Sequence, residues 1–407
     1  MREKEPKMKA RSAGSTRKRG AMAARAVPAL VAVATMIAVA MAAGCGNSFF
    51  GMTSSSPTAT PTATASPGTG AFLYASNFND ARIAEFVRNT STGALTLTGT
   101  VTAGATGGPK GLAIDPSNSY LYAANFADGY VYEFSINTDG TLSSIGKIVS
   151  GTNPEAIAIS PNGQYVYVTN FGNGTSGTVS EYSIGSNGAL TSLGTVTGLS
   201  GPVGIAITPD GSYLYVADNT AGEIWSYVIN SNGTLTLNGA ATPSLGTTTG
   251  TPEFEVATSD SSGEYLFVTD LSTGAVAGFM VSSGTLIFNG TFTTGSVTSQ
   301  PLGMGLAING GNYYLFTANL AGDSVSAFSR LAANLTLLNA VTGPNGPTGL
   351  AVDPQGAYVY TGDSGDGTVA QMQINGSCGQ VLCTPTTFNT ESPANPSAGT
   401  SFVVMTN

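Results

Sequence analysis

Three charged residues, Lys110, Glu155 and Glu253, occupy equivalent positions, each directly after a proline. Carboxylates can act as general bases, and an ammonium group can stabilise the negative charge that develops on a carbonyl oxygen. Together these groups would supply the minimum chemistry for hydrolysing a cyclic ester. The chain contains no histidine, so a Ser-His-Asp triad is excluded.

The prolines belong to a repeat. Complete units begin at Pro109, Pro154, Pro202, Pro252, Pro301 and Pro347, with spacings of 45 to 50 residues. An apolar phrase recurs eight times, as FLYASN from Phe72, YLYAAN from Tyr120, YVYVTN from Tyr165, YLYVAD from Tyr213, YLFVTD from Tyr265, YLFTAN from Tyr314, YVYTGD from Tyr358 and FVVMTN from Phe402. A small residue, such as Ala113 or Ala307, stands seven residues before most phrases. This period and composition predict an all-β fold, a β-propeller built from four-stranded blades.

The number of units predicts seven blades. Six complete units leave strands two to four of another unit near residues 72–102 and one apolar strand near 400–407. A blade shared between the N- and C-terminal strands would close the ring and leave no free edge. The residues after the opening prolines would then surround the axis at one mouth of the channel, as Lys110, Glu155, Val203, Glu253, Leu302 and Thr348, with Ser397 or Ala398 as the seventh.

These motifs resemble the seven-bladed lactonase-like propellers, also called the YVTN-repeat family, after phrases such as Tyr167-Val168-Thr169-Asn170. The resemblance covers residues 70–407 and implies this fold. The family includes enzymes that open or form lactones, such as 6-phosphogluconolactonase-like proteins, and also surface and binding proteins. The enzymes are expected to use His, Arg and Glu at the mouth, but this ring has no Arg. One Lys facing two Glu would hold a phosphorylated substrate poorly.

The sequence therefore favours a binding module for a glycan, a cell-envelope polymer or a partner protein. A sugar-lactone hydrolase that uses Glu155, Glu253 and Lys110 is the alternative. The favoured interpretation of these three residues is that they are solvated rim charges with no chemistry. No bound cofactor is implied, and the expected oligomeric state is a monomer.

The N-terminal segment predicts export. Residues 1–26 carry nine Lys and Arg against two Glu, and residues 27–43 are apolar apart from Pro28 and Thr35. The sequence Ala42-Ala43-Gly44-Cys45 resembles a lipobox, which predicts a signal peptide over residues 1–44 and a lipid on Cys45. An uncleaved membrane anchor is the alternative. Residues 45–70 predict a Ser/Thr/Pro-rich tether and 71–407 the propeller, attached to a membrane in the periplasm or at the cell surface.

The charge balance and the cysteine content limit which ligands and which cross-links are expected. From residue 45 onward, five Lys and Arg stand against twenty-one Asp and Glu, which excludes nucleic-acid binding because phosphate contacts need clustered cations. An oxidising compartment favours a disulfide between Cys378 and Cys383. Two thiols without histidine make a poor zinc site.

Oxygen ligands for calcium are a weaker possibility. An Asn or Asp ends each phrase, and capping of the following tight turn is the favoured role for these side chains. A row of carboxylates at Glu85, Glu133 and Glu181 is a second cation hypothesis, but the favoured interpretation of this row is a solvated stripe.

Overall fold

The computed structural model describes residues 71–105, 107–296, 298–375, 380–390 and 399–406, without the side chains of Ser401 and Phe402. The strands of this part of the chain form seven separate antiparallel sheets. Their innermost strands neighbour one another in turn and return to the first, so the sheets are the blades of a closed ring. The predicted all-β, seven-bladed propeller is confirmed.

In six of the seven blades the strands follow their sequence order from the axis outward. The first blade contains β1 (Phe72–Asn77), β2 (Arg82–Arg88) and β3 (Leu95–Thr102). The second contains β4 (Pro109–Ile114), β5 (Tyr120–Asn125), β6 (Tyr130–Ile136) and β7 (Leu142–Val149). The third contains β8 (Pro154–Ile159), β9 (Tyr165–Asn170), β10 (Gly177–Ile184) and β11 (Leu190–Leu199). The fourth contains β12 (Pro202–Ile207), β13 (Tyr213–Asp218), β14 (Glu223–Ile229), β15 (Leu235–Leu237) and β16 (Thr242–Pro243).

The remaining blades repeat this order. The fifth contains β17 (Pro252–Asp260), β18 (Gly263–Asp270), β19 (Ala275–Ser282) and β20 (Thr285–Thr293). The sixth contains β21 (Pro301–Asn309), β22 (Asn312–Asn319), β23 (Ser324–Leu331) and β24 (Asn334–Thr342). The seventh contains β25 (Pro347–Val352), β26 (Tyr358–Asp363), β27 (Thr368–Gln373) and β28 (Thr386–Asn389). The last strand, β29 (Thr400–Met405), pairs with β1 and completes the first blade, as predicted.

Burial differs between the inner and outer strands. The recurring phrase forms the second strand of each blade, and β9 is buried along almost its whole length because both of its faces pack against neighbouring blades. The outer strand β3 alternates between covered and exposed side chains, as expected for an edge that faces solvent. The Val- and Tyr-rich phrases therefore make the core, while the outer strands form the solvent-facing circumference.

Tyrosine hydroxyl groups connect neighbouring blades. In five blades the third residue of the phrase donates a hydrogen bond to a backbone carbonyl oxygen in the outer turn of the next blade. The distances are 2.6 to 3.1 Å, for Tyr74 to Gly140, Tyr122 to Gly188, Tyr167 to Gly233, Tyr215 to Gly284 and Tyr360 to Gly93. These five tyrosines are fully buried and belong to the core.

Candidate active site

A β-bulge positions the residue after each opening proline. The pairing of β4 with β5 skips between Pro109 and Gly111, which leaves Lys110 unpaired in the bulge. Equivalent shifts follow Pro154 and Pro252. A bulge redirects the side chain of the extra residue, and here it does so on the strands nearest the axis. We call Lys110, Glu155, Val203, Glu253, Leu302 and Thr348 the axial residues.

Lys110 and Glu155 form a buried ion pair. The Nζ atom of Lys110 donates to Oε1 of Glu155 at 2.7 Å, and the two residues are 1% and 2% exposed. The same Nζ atom lies 3.9 Å from the centroid of the Phe126 ring, a favourable cation–π distance. These two residues are therefore not solvated rim charges.

Glu253 is the third charged axial residue and is 1% exposed. Nδ2 of Asn219 donates to its Oε1 atom at 2.6 Å and to the carbonyl oxygen of Pro252 at 3.2 Å. Burial raises the pKa of Glu253 well above the usual value, and the charge of Glu155 raises it further. Glu253 therefore holds a proton under conditions in which an ordinary glutamate is ionised. Asn219 directly follows the phrase Tyr213–Asp218, a position that the sequence motifs did not single out.

The carboxyl group of Glu155 differs from that of Glu253 in its pKa. Burial raises its pKa to about 7, although the charge of Lys110 and the hydrogen bond from it act in the opposite direction. Its Oε2 atom is buried and has no hydrogen-bond partner in the described part of the chain, and the same holds for Oε2 of Glu253. A carboxylate with a pKa near 7 and a free oxygen suits a general base, and a neutral carboxylic acid suits a hydrogen-bond donor.

The seventh axial position belongs to Ser401. Thr400 pairs with Asn77, the last residue of its phrase, just as Pro109 pairs with Asn125. The next residue of β29 to pair is Phe402, so position 401 is skipped in the same way as position 110. Position 401 is therefore equivalent to position 110. Ser397 and Ala398, which the sequence assigns to this place, lie outside the described residues, but the register of β29 corrects the assignment.

A second ring of residues lies beside the axial residues. In each blade the residue after the phrase donates its backbone N–H to the residue that precedes the innermost strand, as Phe126 does to Gly108. We call this ring the rim, and it consists of Phe78, Phe126, Phe171, Asn219, Leu271, Leu320 and Ser364. All seven are half-buried. The sequence analysis missed the rim, although one residue after each phrase would have identified it.

Most of the cations outside the axis are already engaged. Arg88 pairs with Asp353 at 3.2 Å, and Arg330 pairs with Asp260 at 3.0 Å. Nζ of Lys147 lies 3.9 Å from the ring centroid of Tyr130. The described part of the chain contains five Lys and Arg. Among them, only Arg82 is exposed and makes none of these contacts, and it lies on β2, outside the axial strands.

The row of carboxylates connects blades and is not a solvated stripe. Glu85, Glu133 and Glu181 are 4–5% exposed. Each accepts a backbone N–H from the next blade at 2.8 to 3.1 Å, from Leu142, Leu190 and Leu235 respectively. Burial raises the pKa of all three carboxyl groups.

The predicted turn caps are present. Oδ1 of Asn125 accepts the N–H groups of Ala127 and Asp128, and Oδ1 of Asp270 accepts that of Thr273. Within the described ranges, no group of three or more His, Cys, Asp or Glu side chains is arranged to hold a metal ion.

Several predictions concern residues that the structure does not describe. Cys45, the signal peptide and the tether all lie within residues 1–70, outside the described residues. Cys378 is also outside them, so its disulfide with Cys383 stays a prediction. No helix in the described segments is long and apolar enough to cross a bilayer.

Comparisons with known proteins agree with this architecture. A candidate 6-phosphogluconolactonase of Bacteroides fragilis is 19% identical, with a TM-score of 0.69, over 85% of this chain and 100% of that one. A candidate 6-phosphogluconolactonase of Bacteroides uniformis is 18% identical, with a TM-score of 0.67, over 83% and 99%. The periplasmic gluconolactonase of Pseudomonas aeruginosa is 16% identical, with a TM-score of 0.63, over 82% and 99%. Such low identity shows the fold alone.

Sequence comparison identifies the family. No curated protein sequence matches the chain. The sequence profile described as Lactonase, 7-bladed beta-propeller matches residues 55–139 and 125–305, which is more than half of the chain. The chain therefore belongs to the lactonase family of seven-bladed β-propellers.

Proposed function

We propose that this protein hydrolyses a sugar lactone at its axial residues. The observation that carries the proposal is the buried pairing of Lys110 with Glu155, in which Glu155 keeps one oxygen free and has a pKa of about 7. Glu253 senses both of them, because the charge of Glu155 raises its pKa and the charge of Lys110 lowers it. Family membership supports the same class of reaction, although the fold alone does not assign it.

The residues suggest a division of roles. Oε2 of Glu155 takes a proton from a water molecule, whose oxygen attacks the lactone carbonyl carbon. The carboxylic acid of Glu253 donates a hydrogen bond to the carbonyl oxygen as negative charge develops there. Collapse of the tetrahedral intermediate breaks the ring C–O bond, and the proton held by Glu155 passes to the departing alkoxide. Lys110 holds the Glu155 carboxylate in place.

The test is hydrolysis of a panel of sugar lactones by the full chain, compared with the spontaneous rate. The variants Glu155→Gln and Glu253→Gln are compared with Glu181→Gln, which changes another buried carboxylate that contacts Leu235 away from the axis. We expect Glu155→Gln to lower kcat by about a hundredfold or more, because it removes the general base. Glu181→Gln should keep turnover. On the acidic side, kcat/KM should fall below about pH 7 as Glu155 is protonated.

A binding role without chemistry is the second candidate. The observation that favours it is burial, because Lys110, Glu155 and Glu253 are each no more than 2% exposed. No turnover above the spontaneous rate, or turnover unchanged in both axial variants, would leave a propeller that binds a glycan, an envelope polymer or a protein partner.

The proposed location is outside the cytoplasm, with the propeller held to a membrane through lipid on Cys45. The support is the basic and then apolar sequence of residues 1–43 and the lipobox-like residues that follow it. Labelling with a radioactive fatty acid, compared between the wild type and Cys45→Ala, tests the lipid.

A further inference from the structure

Among the residues that the structure describes, the axial site has no free cation for an anionic substrate group. Lys110 is the only basic axial residue, and its charge is matched by Glu155 at 2.7 Å. Arg88 and Arg330 are paired with aspartates in other blade interfaces. A phosphate group relies on such cations, preferably in a bidentate arrangement, to offset the loss of its water.

The rim beside this site is largely apolar. Five of its seven residues are Phe or Leu, and the three phenylalanines occupy the rim positions of the first three blades, at Phe78, Phe126 and Phe171. The Phe78 and Phe126 rings have centroids 6.2 Å apart and are tilted by 56°. Lys110 and Glu155 belong to the second and third blades, so the aromatic part of the rim lies on the side of the ion pair.

Half-buried aromatic rings beside a few convergent polar groups are typical of small-molecule sites. A sugar ring presents an apolar C–H face that can pack on an aromatic ring, and its hydroxyl groups need no charged partner. A phosphate ester would bring about two negative charges next to Glu155 and Glu253.

We propose that the ligand of this site is an uncharged, unphosphorylated sugar ring that packs its apolar face on the rim phenylalanines. The proposal rests on the proposed function, which it narrows to neutral sugar lactones. Phe171 is the residue to test, because Phe126 also contacts Lys110 and its removal would disturb the ion pair.

The experiment measures hydrolysis of glucono-δ-lactone and of its phosphate ester by the full chain. Phe171→Leu keeps apolar bulk but removes the aromatic face, and Phe171→Tyr keeps the face. Phe288→Leu is the matched control, because Phe288 is exposed on the outer strand β20. We expect Phe171→Leu to raise KM up to about tenfold with little change in kcat, and Phe171→Tyr to raise KM less because it keeps the aromatic face. Phe288→Leu should resemble the wild type. The phosphate ester should have a kcat/KM at least about tenfold lower than the free lactone.

Preference for the phosphate ester would overturn the proposal, and so would equal KM values for Phe171→Leu and the wild type. Arg82→Gln is included because an exposed arginine could favour the ester, and a selective loss of ester turnover in this variant would also count against the proposal. If neither lactone is hydrolysed, the proposed function fails, and binding of methyl β-glucoside is then measured by ligand-observed NMR. Binding that weakens in Phe171→Leu but not in Phe288→Leu supports the neutral-ring site, and no binding overturns it.

Discussion

Glu255 is a carboxylate at a position that is apolar in every other blade. Its pairing with Val268 makes it equivalent to Leu112, Ile157, Ile205, Met304, Leu350 and Val403. It is 2% exposed, and neither carboxyl oxygen has a hydrogen-bond partner in the part of the chain described. Burial raises its pKa well above the usual value, so the side chain is neutral over a wide range of pH.

Replacing Glu255 by leucine should stabilise the propeller. The folded state binds the Glu255 proton more tightly than the unfolded state does. The stabilisation that comes from this proton is therefore complete below the unfolded pKa and is lost as pH rises through the folded pKa. We expect Glu255→Leu to raise the free energy of unfolding by about 1–3 kcal/mol near neutral pH, because an unpaired buried polar group is removed. Urea unfolding at pH 5 and pH 8 should show a larger gain at pH 8.

Glu255→Gln separates the two contributions, because it removes the titration but keeps a polar group. It should flatten the pH dependence of stability without the full gain of the leucine variant. A loss of stability in Glu255→Leu at both pH values would show that the carboxyl group makes a favourable contact, and would contradict this account.

At the scale of elements, contacts between blades rely on the turns of the outer hairpins. Gly188 has a φ of +81°, and a Cβ atom there would lie 2.2 Å from a ring carbon of Tyr120 in the preceding blade. Its carbonyl oxygen accepts the hydroxyl group of Tyr122 at 2.7 Å. The turn therefore needs a left-handed backbone and no side chain.

Gly188→Ala should cost more than backbone strain alone. Gly239 has a φ of +85° with nothing within 4 Å of the added Cβ, so Gly239→Ala isolates the strain, which is about 1–2 kcal/mol. Gly188→Ala adds a clash with Tyr120 and should lower the free energy of unfolding by at least about 1 kcal/mol more. Equilibrium unfolding of both variants measures the difference, and equal losses would mean that the Tyr120 ring moves aside at no cost.

Local pattern predicted the strands but not their contacts. The phrases predict strands such as β5 and β9 because the apolar residues and the flanking turn residues that specify each strand lie within one repeat unit. The row at Glu85 was misinterpreted as solvated because its partner, the N–H of Leu142, belongs to the next blade. Asn219 was missed for the same reason, since it contacts Glu253 across a blade boundary.

Alignment by spacing also failed where hairpin length changes. Ala113 and Ala307 both stand seven residues before a phrase, which made them appear equivalent. In the structure Ala113 pairs with Tyr122, the third residue of its phrase. The residue that pairs with the third residue of the later phrase, Phe316, is Gly305. The bulge after each proline, by contrast, kept the axial residues in order. Placement at the axis was therefore predictable from sequence, whereas burial and protonation were not, because they depend on how the ring closes.

At the scale of the whole molecule, the two ends of the described chain meet in one blade. Strand β29 pairs with β1, and the backbone N–H of Phe72 donates to Oγ1 of Thr406 at 2.8 Å. The neighbouring interface contains the ion pair of Arg88 with Asp353, whose side chains are 1% and 0% exposed. Closure therefore combines strand pairing with a buried charge pair between residues that are far apart in sequence.

Removing residues 399–407 should open the ring. The deletion exposes the edge of β1 and uncovers Leu73 and Ala75, which are fully buried in the intact propeller. An unpaired apolar strand is a template for association with other chains, so we expect the truncated protein to bind a hydrophobic dye and to elute from a size-exclusion column earlier than the intact protein. A synthetic peptide of residues 399–407 should restore the elution volume of the intact protein by adding the missing strand, and a scrambled peptide should not. A truncated chain that elutes and melts like the intact protein would show that the other six blades hold the ring without β29, and that the shared blade is not what closes it.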